Sequence, residues 1–325
     1  MKILITGGAG YVGSKLVPQM LKLGHKVTVL DLMIYGENVL DNHKNLKKVK
    51  GDIRNDDLLK KIIPGHEAVL HLACISNDPS FELNPSLGKS INYDAFEPLV
   101  RISRDNKVNR FVYASSSSVY GIKKEKNVTE DMKLEPLTDY SKFKGECEKI
   151  LKNYKSEDFI ITTVRPSTVC GYARRQRLDL VVNILANNAF HNREIKVFGG
   201  DQLRPNIHIN DMVDSYLSIL DAMPKIINGE IFNVGFKNQS VNELALDVRE
   251  VMGKDIKIKN TETNDNRSYH VSSEKIKSIL GFVTKHTIKD ATLDLKKAFE
   301  GGLLPNSLQD ERYFNIKRMQ SINLF

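Results

Sequence analysis

Lys2-Ile3-Leu4-Ile5-Thr6-Gly7-Gly8-Ala9-Gly10-Tyr11-Val12-Gly13 is the stretch that decides the fold. Residues 2–6 form a short apolar run that reads as a buried strand, and residues 12–23 carry apolar side chains at helical spacing. Between them, Gly8, Gly10 and Gly13 satisfy G-x-G-x-x-G, while Gly7, Gly10 and Gly13 satisfy G-x-x-G-x-x-G. Glycine permits the tight turn and lets the backbone approach a pyrophosphate. A helix opening near Tyr11 aims its free N–H groups and the positive end of its dipole at that anion. Gly7, Gly10, Tyr11, Val12 and Gly13 are therefore candidate cofactor contacts. The next strand, residues 26–31, ends on Asp31, whose carboxylate suits the adenosine ribose diol and would repel a 2′-phosphate, favouring NAD over NADP. Asp52 and Ile53 follow the third strand and could hold the adenine, although a simple turn would also use an Asp there.

Outward from this corner, strands at residues 46–50, 68–73, 110–115 and 159–165 alternate with helical stretches at 85–106 and 138–154. That rhythm predicts an α/β fold, a doubly wound parallel sheet of the Rossmann type with right-handed crossovers. After about residue 167 it loosens. Helices are expected at 178–189, 241–251, 276–280 and 291–299, strand-like runs at 196–200 and 231–234, and a loop at 201–205. The division expected is a cofactor domain over 1–166, with 206–235 returning to it, and a smaller C-terminal substrate-binding α/β lobe from 167–205 and 236–325. No linker and no internal repeat is visible.

Composition supports a globular enzyme-sized chain: 325 residues, 41% hydrophobic and 27% charged, with 20 Gly and 10 Pro, which excludes disordered and collagen-like classes. No apolar run approaches the roughly 18 residues of a membrane helix, and the N-terminal apolar stretch is too short for a signal peptide. Cys74, Cys147 and Cys170 are odd in number and widely spaced, which suits a reducing, cytoplasmic setting. Lys plus Arg is 48 against 40 Asp plus Glu, a net +8. Because the charges are interspersed, they read as solvated surface, and neither nucleic acid nor membrane is expected as a partner. An anionic small substrate could use part of the surplus.

Tyr-x-x-x-Lys places a phenol and an ammonium on one helix face. Lowering a phenol by about three pKa units, roughly 4 kcal/mol, would make it a base near neutrality. Four tyrosines satisfy the spacing: Tyr11 with Lys15, Tyr120 with Lys124, Tyr140 with Lys144 and Tyr313 with Lys317. Only Tyr140 opens a long helix. The fifth strand, which precedes it, leaves its carboxyl end through Ser115-Ser116-Ser117-Ser118-Val119-Tyr120-Gly121. Ligands in doubly wound sheets bind at such ends, and a serine there can share a hydrogen bond with phenol and substrate hydroxyl. A polar strand exit would look the same.

Taken in order, residues 7–13, His71-Leu72-Ala73, the serine run with Val-Tyr-Gly, Tyr140-Ser-Lys-Phe-Lys144 and Arg165-Pro166 resemble the extended short-chain dehydrogenase/reductases over about residues 1–300. The group is similar to the NAD-dependent epimerase/dehydratase family acting on nucleotide sugars, of the 4-epimerase type. The resemblance implies Tyr140 as base, Lys144 as its partner and holder of the nicotinamide ribose, and Ser116 as the catalytic hydroxyl. It implies Leu72, Ala73 and Asn92 on the cofactor side, and Ser116, Ser117, Thr168, Arg177, Arg204 and Arg267 toward the substrate. Arg174 and Arg175 are further anion candidates, with a solvated surface as the other reading. It further implies a nucleotide-diphosphate sugar substrate, a 4-keto intermediate formed by hydride transfer at C4, and a homodimer through the 85–106 and 140–154 helices. A 4-dehydrogenase or ketoreductase with net redox is the alternative, and a cofactor-bound regulatory or RNA-binding protein the rival from another class. Three departures matter. Ser117-Ser118 stands where the 4,6-dehydratases carry Asp-Glu, Thr168 replaces a substrate-contacting asparagine, and Asp265-Asn266-Arg267-Ser268-Tyr269 replaces Arg-Pro-Gly-Asp. His208 and Asp211 lack a third ligand, so no metal is expected.

Overall fold

Strands buried on both faces need near-continuous apolar runs and helices to cover them, and the first half of the chain supplies both. The computed structural model describes residues 1–125, 127–263, 268 and 270–324. In chain order the first elements are β1 (Lys2–Thr6), α1 (Gly13–Lys22), β2 (Lys26–Asp31), β3 (Leu46–Lys50), α2 (Asp56–Ile62), β4 (Ala68–His71), α3 (Asp78–Glu82), α4 (Pro85–Lys89), α5 (Phe96–Asp105), β5 (Arg110–Ala114), α6 (Asp139–Lys152) and β6 (Ile160–Pro166). There follow β7 (Thr168–Cys170), α7 (Val181–Asn192), β8 (Glu194–Phe198), β9 (Leu203–His208), α8 (Ile209–Asp221), α9 (Pro224–Ile227), β10 (Glu230–Val234), β11 (Lys237–Ser240), α10 (Val241–Met252), β12 (Lys257–Thr261), α11 (Glu274–Leu280), α12 (Ile288–Glu300) and α13 (Asn315–Ser321).

Seven parallel strands form one sheet in the order β10-β6-β5-β4-β1-β2-β3, the doubly wound α/β arrangement. One face carries α1 and α8, with Leu16, Val17 and Met20 meeting Met212, Tyr216 and Ile219. The other carries α2, α5 and α6 through Leu59, Phe96, Leu99, Cys147 and Leu151. The edge strand β3 exposes Lys47, Lys48 and Lys50, charges that discourage edge-to-edge pairing. The chain leaves this sheet after β6 and returns through α8 and β10, which pairs with β6. Between and beyond, β7, β9 and β11 make a three-stranded sheet, β8 pairs with β12, and α7, α10 and α12 pack around Leu185, Leu244, Val248 and Leu295.

Two expectations change here. Residues 201–205 are not all loop, because Leu203 begins strand β9, held between β7 and β11. The buried side chains of that strand include Asn206 and His208, so no apolar alternation betrays it. The 85–106 stretch is not one regular helix either. Between α4 and α5, residues Ser90–Asp94 form a π-helical turn, with Ala95 N–H donating to Ser90 O. Among the described residues, no helix is long and apolar enough to cross a membrane.

Candidate functional site

A cavity of about 530 Å³ opens at the carboxyl ends of the parallel strands, and the glycine turn forms one corner of it. Gly7 has φ +74°, and a Cβ there would lie 2.5 Å from Ala73 N; a Cβ on Gly13 would lie 2.3 Å from Gly8 O. Glycine is thus required both for the turn and for the contact with the chain leaving β4. Gly10 N–H donates to Gly7 O (3.1 Å) and Ser14 N–H to Gly10 O (2.9 Å), closing the turn into α1. Asp31 stands beside it, its Oδ2 accepting from Ala9 N–H (3.0 Å) and its Oδ1 from Met33 N–H (2.8 Å). Burial raises its pKa, opposed by those two N–H groups and by the charge of Arg175. This cradle, with no Cβ at positions 7, 10 and 13 and ending at an oriented carboxylate, fits a dinucleotide.

Gly7, Gly10, Tyr11, Val12, Gly13, Asp31, Asp52, Ile53, Leu72 and Ala73 all line the cavity. Two of these have prior engagements. Tyr11 OH donates to Gly171 O (2.6 Å) and accepts from Asn183 Nδ2 (3.0 Å), tying the glycine turn to the second lobe. Asp52 is gripped by Arg54, through Nη2 at 2.6 Å and the backbone N–H at 2.8 Å. Asn92 is placed differently from the expectation. It is not on the cavity wall, because its Oδ1 accepts from Ile75 N–H (2.8 Å) and its Nδ2 donates to Ile75 O (2.9 Å). The π turn points this amide at the strand exit, so it clamps the loop that carries Cys74–Asp78 along the wall.

Tyr140 lies in the first turn of α6, whose start is fixed by a Thr138–Ser141 capping box. Lys144, one turn on, donates from Nζ to Ala114 O (2.6 Å) and sits 5.9 Å from the Tyr140 ring centroid. Ser116 caps the 3-10 turn Ser117–Tyr120, its Oγ 2.8 Å from Ser118 Oγ. Ser116, Ser117, Ser118, Tyr140 and Lys144 share the cavity wall. The Tyr140 phenol is not depressed. Burial pushes it well above its ordinary value, Cys74 and Asp78 push the same way, and the Arg177 charge and the Asn77 N–H oppose them. The Lys144 ammonium is turned toward a carbonyl, and desolvation wins.

Of the other tyrosine–lysine pairs, Tyr120 is buried beneath the site. Its OH donates to Asn233 Oδ1 (2.7 Å) and accepts from Arg165 Nη1 (2.6 Å), and burial pushes it up to about 12. Arg165 in turn holds Glu148 through Nε (3.0 Å) and Nη2 (2.6 Å), and Ser115 Oγ donates to Glu148 Oε1. Glu148 is the residue that sequence reasoning missed although its signal was present, four positions after Lys144 on the same helix. The phenol of Tyr313 belongs to the second lobe's core.

Thr168, Arg177 and Arg204 also reach the cavity. Arg177 is buried, bidentate to Asp179 (2.9 and 3.2 Å) and donating to Ser76 Oγ (3.0 Å). Arg174 is outside, paired with Asp41 at the surface. Arg267 lies outside the described residues, as do Asp265, Asn266 and Tyr269. His208 stacks on His286 at 4.4 Å, and His286 meets Asp211 at 2.7 Å. Among the described residues, no group of three or more His, Cys, Asp or Glu could hold a metal. Nothing in the sequence signalled that Asn315, Met319 and Leu324 would come back to the same cavity.

Comparison with known proteins bears on the family and the fold. The family model described as "NAD dependent epimerase/dehydratase family" matches residues 3–235. A UDP-glucose 4-epimerase of Lactobacillus helveticus is 29% identical over 307 residues, covering 88% of this chain and 93% of that one. A solved dTDP-glucose 4,6-dehydratase from Streptomyces venezuelae, with NAD bound, superposes with TM-score 0.85 at 23% identity, covering 95% of this chain and all (100%) of the other. A UDP-glucose 4-epimerase from Thermotoga maritima, solved with UDP-glucose, gives TM-score 0.84 at 24% identity over 93% of this chain and 100% of that one. At these identities the two structures speak for the fold.

Proposed function

The chain belongs to the NAD dependent epimerase/dehydratase family of enzymes, and we propose that it epimerises a nucleotide-diphosphate sugar at C4 through a 4-keto intermediate. The observation that carries this reading is the company Tyr140 keeps. Ser116 and Lys144 stand with it on the wall, and positions 117 and 118 hold hydroxyls and no carboxylate. Elimination of water needs an acid and a base aimed at the sugar. The carboxylates on that stretch of wall are otherwise engaged, Asp78 with Thr138 Oγ1 and Asp179 with Arg177.

In this reading Tyr140 takes the proton of the C4 hydroxyl while Ser116 Oγ steadies the same oxygen. Arg177 and the Asn77 N–H favour the charged phenol against the cost of burial. NAD, when bound, would supply the hydride acceptor. Arg204 and Thr168 hold the nucleotide end, so that the keto sugar can turn over without leaving. Return of the hydride to the opposite face of C4 would then restore the alcohol, with Tyr140 giving its proton back to the C4 oxygen.

The test is a panel of UDP-, GDP-, CDP- and dTDP-sugars. The expected result is a product of unchanged mass and shifted chromatographic mobility, with no net NADH. Loss of water or carbon dioxide would overturn the reading, and accumulating NADH would replace it with a 4-dehydrogenase. We also propose a homodimer through the 85–106 and 140–154 stretches, where Tyr93, Phe143, Ile150 and Tyr154 are half-exposed. Light scattering that returns a monomer mass would exclude it.

A further inference from the structure

Arg175 is 4% exposed, yet among the described residues no carboxylate lies within ion-pairing distance of it. Its guanidinium rests 3.5 Å over the centroid of the Tyr35 ring. Nη1 donates to Gln176 O (3.2 Å), Nη2 to Asn315 Oδ1 (2.6 Å), and Nε is buried with no partner. The contrast with the other enclosed arginines is sharp, since Arg165 pairs directly with Glu148 and Arg177 with Asp179, whereas Arg175 feels Asp31 and Asp179 only from beyond pairing distance. Burying a charge without a counter-charge is costly, and such groups normally pair. A guanidinium held this way is a site waiting for an anion.

Its surroundings say which anion. Arg175 lines the same cavity as the glycine turn. Its backbone N–H donates to Ser14 Oγ (3.3 Å) in the first turn of α1, so the residue is pinned to the helix end whose free N–H groups attract phosphate. Asn315 presets the fork. Its Oδ1 accepts from both Arg175 Nη2 and Tyr35 OH (2.9 Å), and its Nδ2 donates to Ser76 Oγ (3.1 Å). Planar donors fixed in advance are the arrangement that recognises phosphoryl oxygens.

We propose that Arg175 is a diphosphate-binding residue, closing from the second-lobe side the anion site that the N-terminus of α1 opens from the sheet. The diphosphate is that of the dinucleotide. Ser14, Asp31 and Tyr35 all lie on the cofactor side, whereas Arg204 serves the nucleotide sugar. The proposal rests on NAD as the cofactor, which family membership supplies.

The experiment uses the full chain stripped of nucleotide, with R175M and R175K, and measures melting temperature and calorimetric affinity for ADP-ribose, adenosine and UDP. R175M should bind ADP-ribose about tenfold to a hundredfold more weakly. Adenosine and UDP should bind as before, and R175K should recover part of the loss. Unliganded R175M should melt no lower than the parent, because an uncompensated charge has gone, while the rise in melting temperature on adding ADP-ribose shrinks. Equal losses for adenosine and ADP-ribose, or a lower unliganded melting temperature with the ADP-ribose rise intact, overturns the proposal in favour of a structural role. A loss confined to UDP overturns the choice of dinucleotide. A parent chain that ignores ADP-ribose altogether overturns the cofactor reading along with it.

Discussion

The two walls of the cavity are built on opposite plans. The sheet wall presents main chain to the cavity, through the glycine turn and the strand exits at Leu72–Ala73, and its carboxylate at Asp31 is held by two backbone N–H groups. The facing segment, residues 171–181 with Arg204 and Asn315, meets it with long side chains, two of them buried arginines. Main-chain chemistry tolerates little at fixed positions and so leaves a periodic trace. Side-chain chemistry depends on which of several similar residues the fold turns inward. Arg174, Arg175 and Arg177 show this: the first pairs with Asp41 at the surface, the second is enclosed without a direct ion-pair partner, and the third chelates Asp179.

Four perturbations probe that contrast, from the largest expected effect to the smallest. Tyr140→Phe removes the phenol that the proposed reaction uses to move a proton, and turnover should fall on the order of a thousandfold; NAD affinity measured by calorimetry should not change. Gly13→Ala drives a methyl into Gly8 O, so the sheet wall should lose about 3 kcal/mol in urea unfolding and most of its NAD affinity with it. The sheet wall should also be the acid-sensitive one. His71, at the end of β4, is held by burial down to about 3 and bonded to Thr6 Oγ1. Its folded pKa lies below its unfolded value of 6.5, so the unfolded chain takes up the proton first and stability is lost as pH falls through the window between the two. From pH 6.5 to 5 the loss should be about 2 kcal/mol, and His71→Gln should abolish that slope in denaturant titrations. Arg174→Ala, next door to Arg175, should change stability and turnover by no more than about 0.5 kcal/mol, since its pair is exposed. An effect of Arg174→Ala equal to that of R175M on ADP-ribose binding would erase the distinction between the two.

The same contrast explains what could be read from the amino acids alone. The parallel sheet, the glycine turn, Asp31 and the Tyr140 helix follow from contiguous patterns with a physical period, and the seven-stranded order realises them. Strand β9 hid because its buried positions include Asn206 and His208, whose packing is decided by neighbours far along the chain. Asn92 carried the right residue type in the right place, but its two amide contacts go to Ile75, a pairing set by a π turn that no propensity announces. The ammonium of Lys144 was expected to pull the Tyr140 phenol down; burial, with Cys74 and Asp78, pushes it up, and Lys144 Nζ donates to Ala114 O. Helix α13 is the extreme case, since its place on the cavity depends on contacts such as Arg318 Nε to Ile34 O (2.6 Å) that span most of the chain.

That last contact has a consequence in time. Synthesis proceeds at about 5–20 residues per second, and Asn315 follows Gly13 by 302 positions (315 − 13). The glycine turn therefore leaves the ribosome roughly 15–60 s before the helix that presets Arg175 exists. Throughout that interval the sheet must stand on its own apolar core, with an anion site lacking its far side. If Arg175 closes the diphosphate site as proposed, full affinity for the cofactor would arrive only after residue 315 has been made.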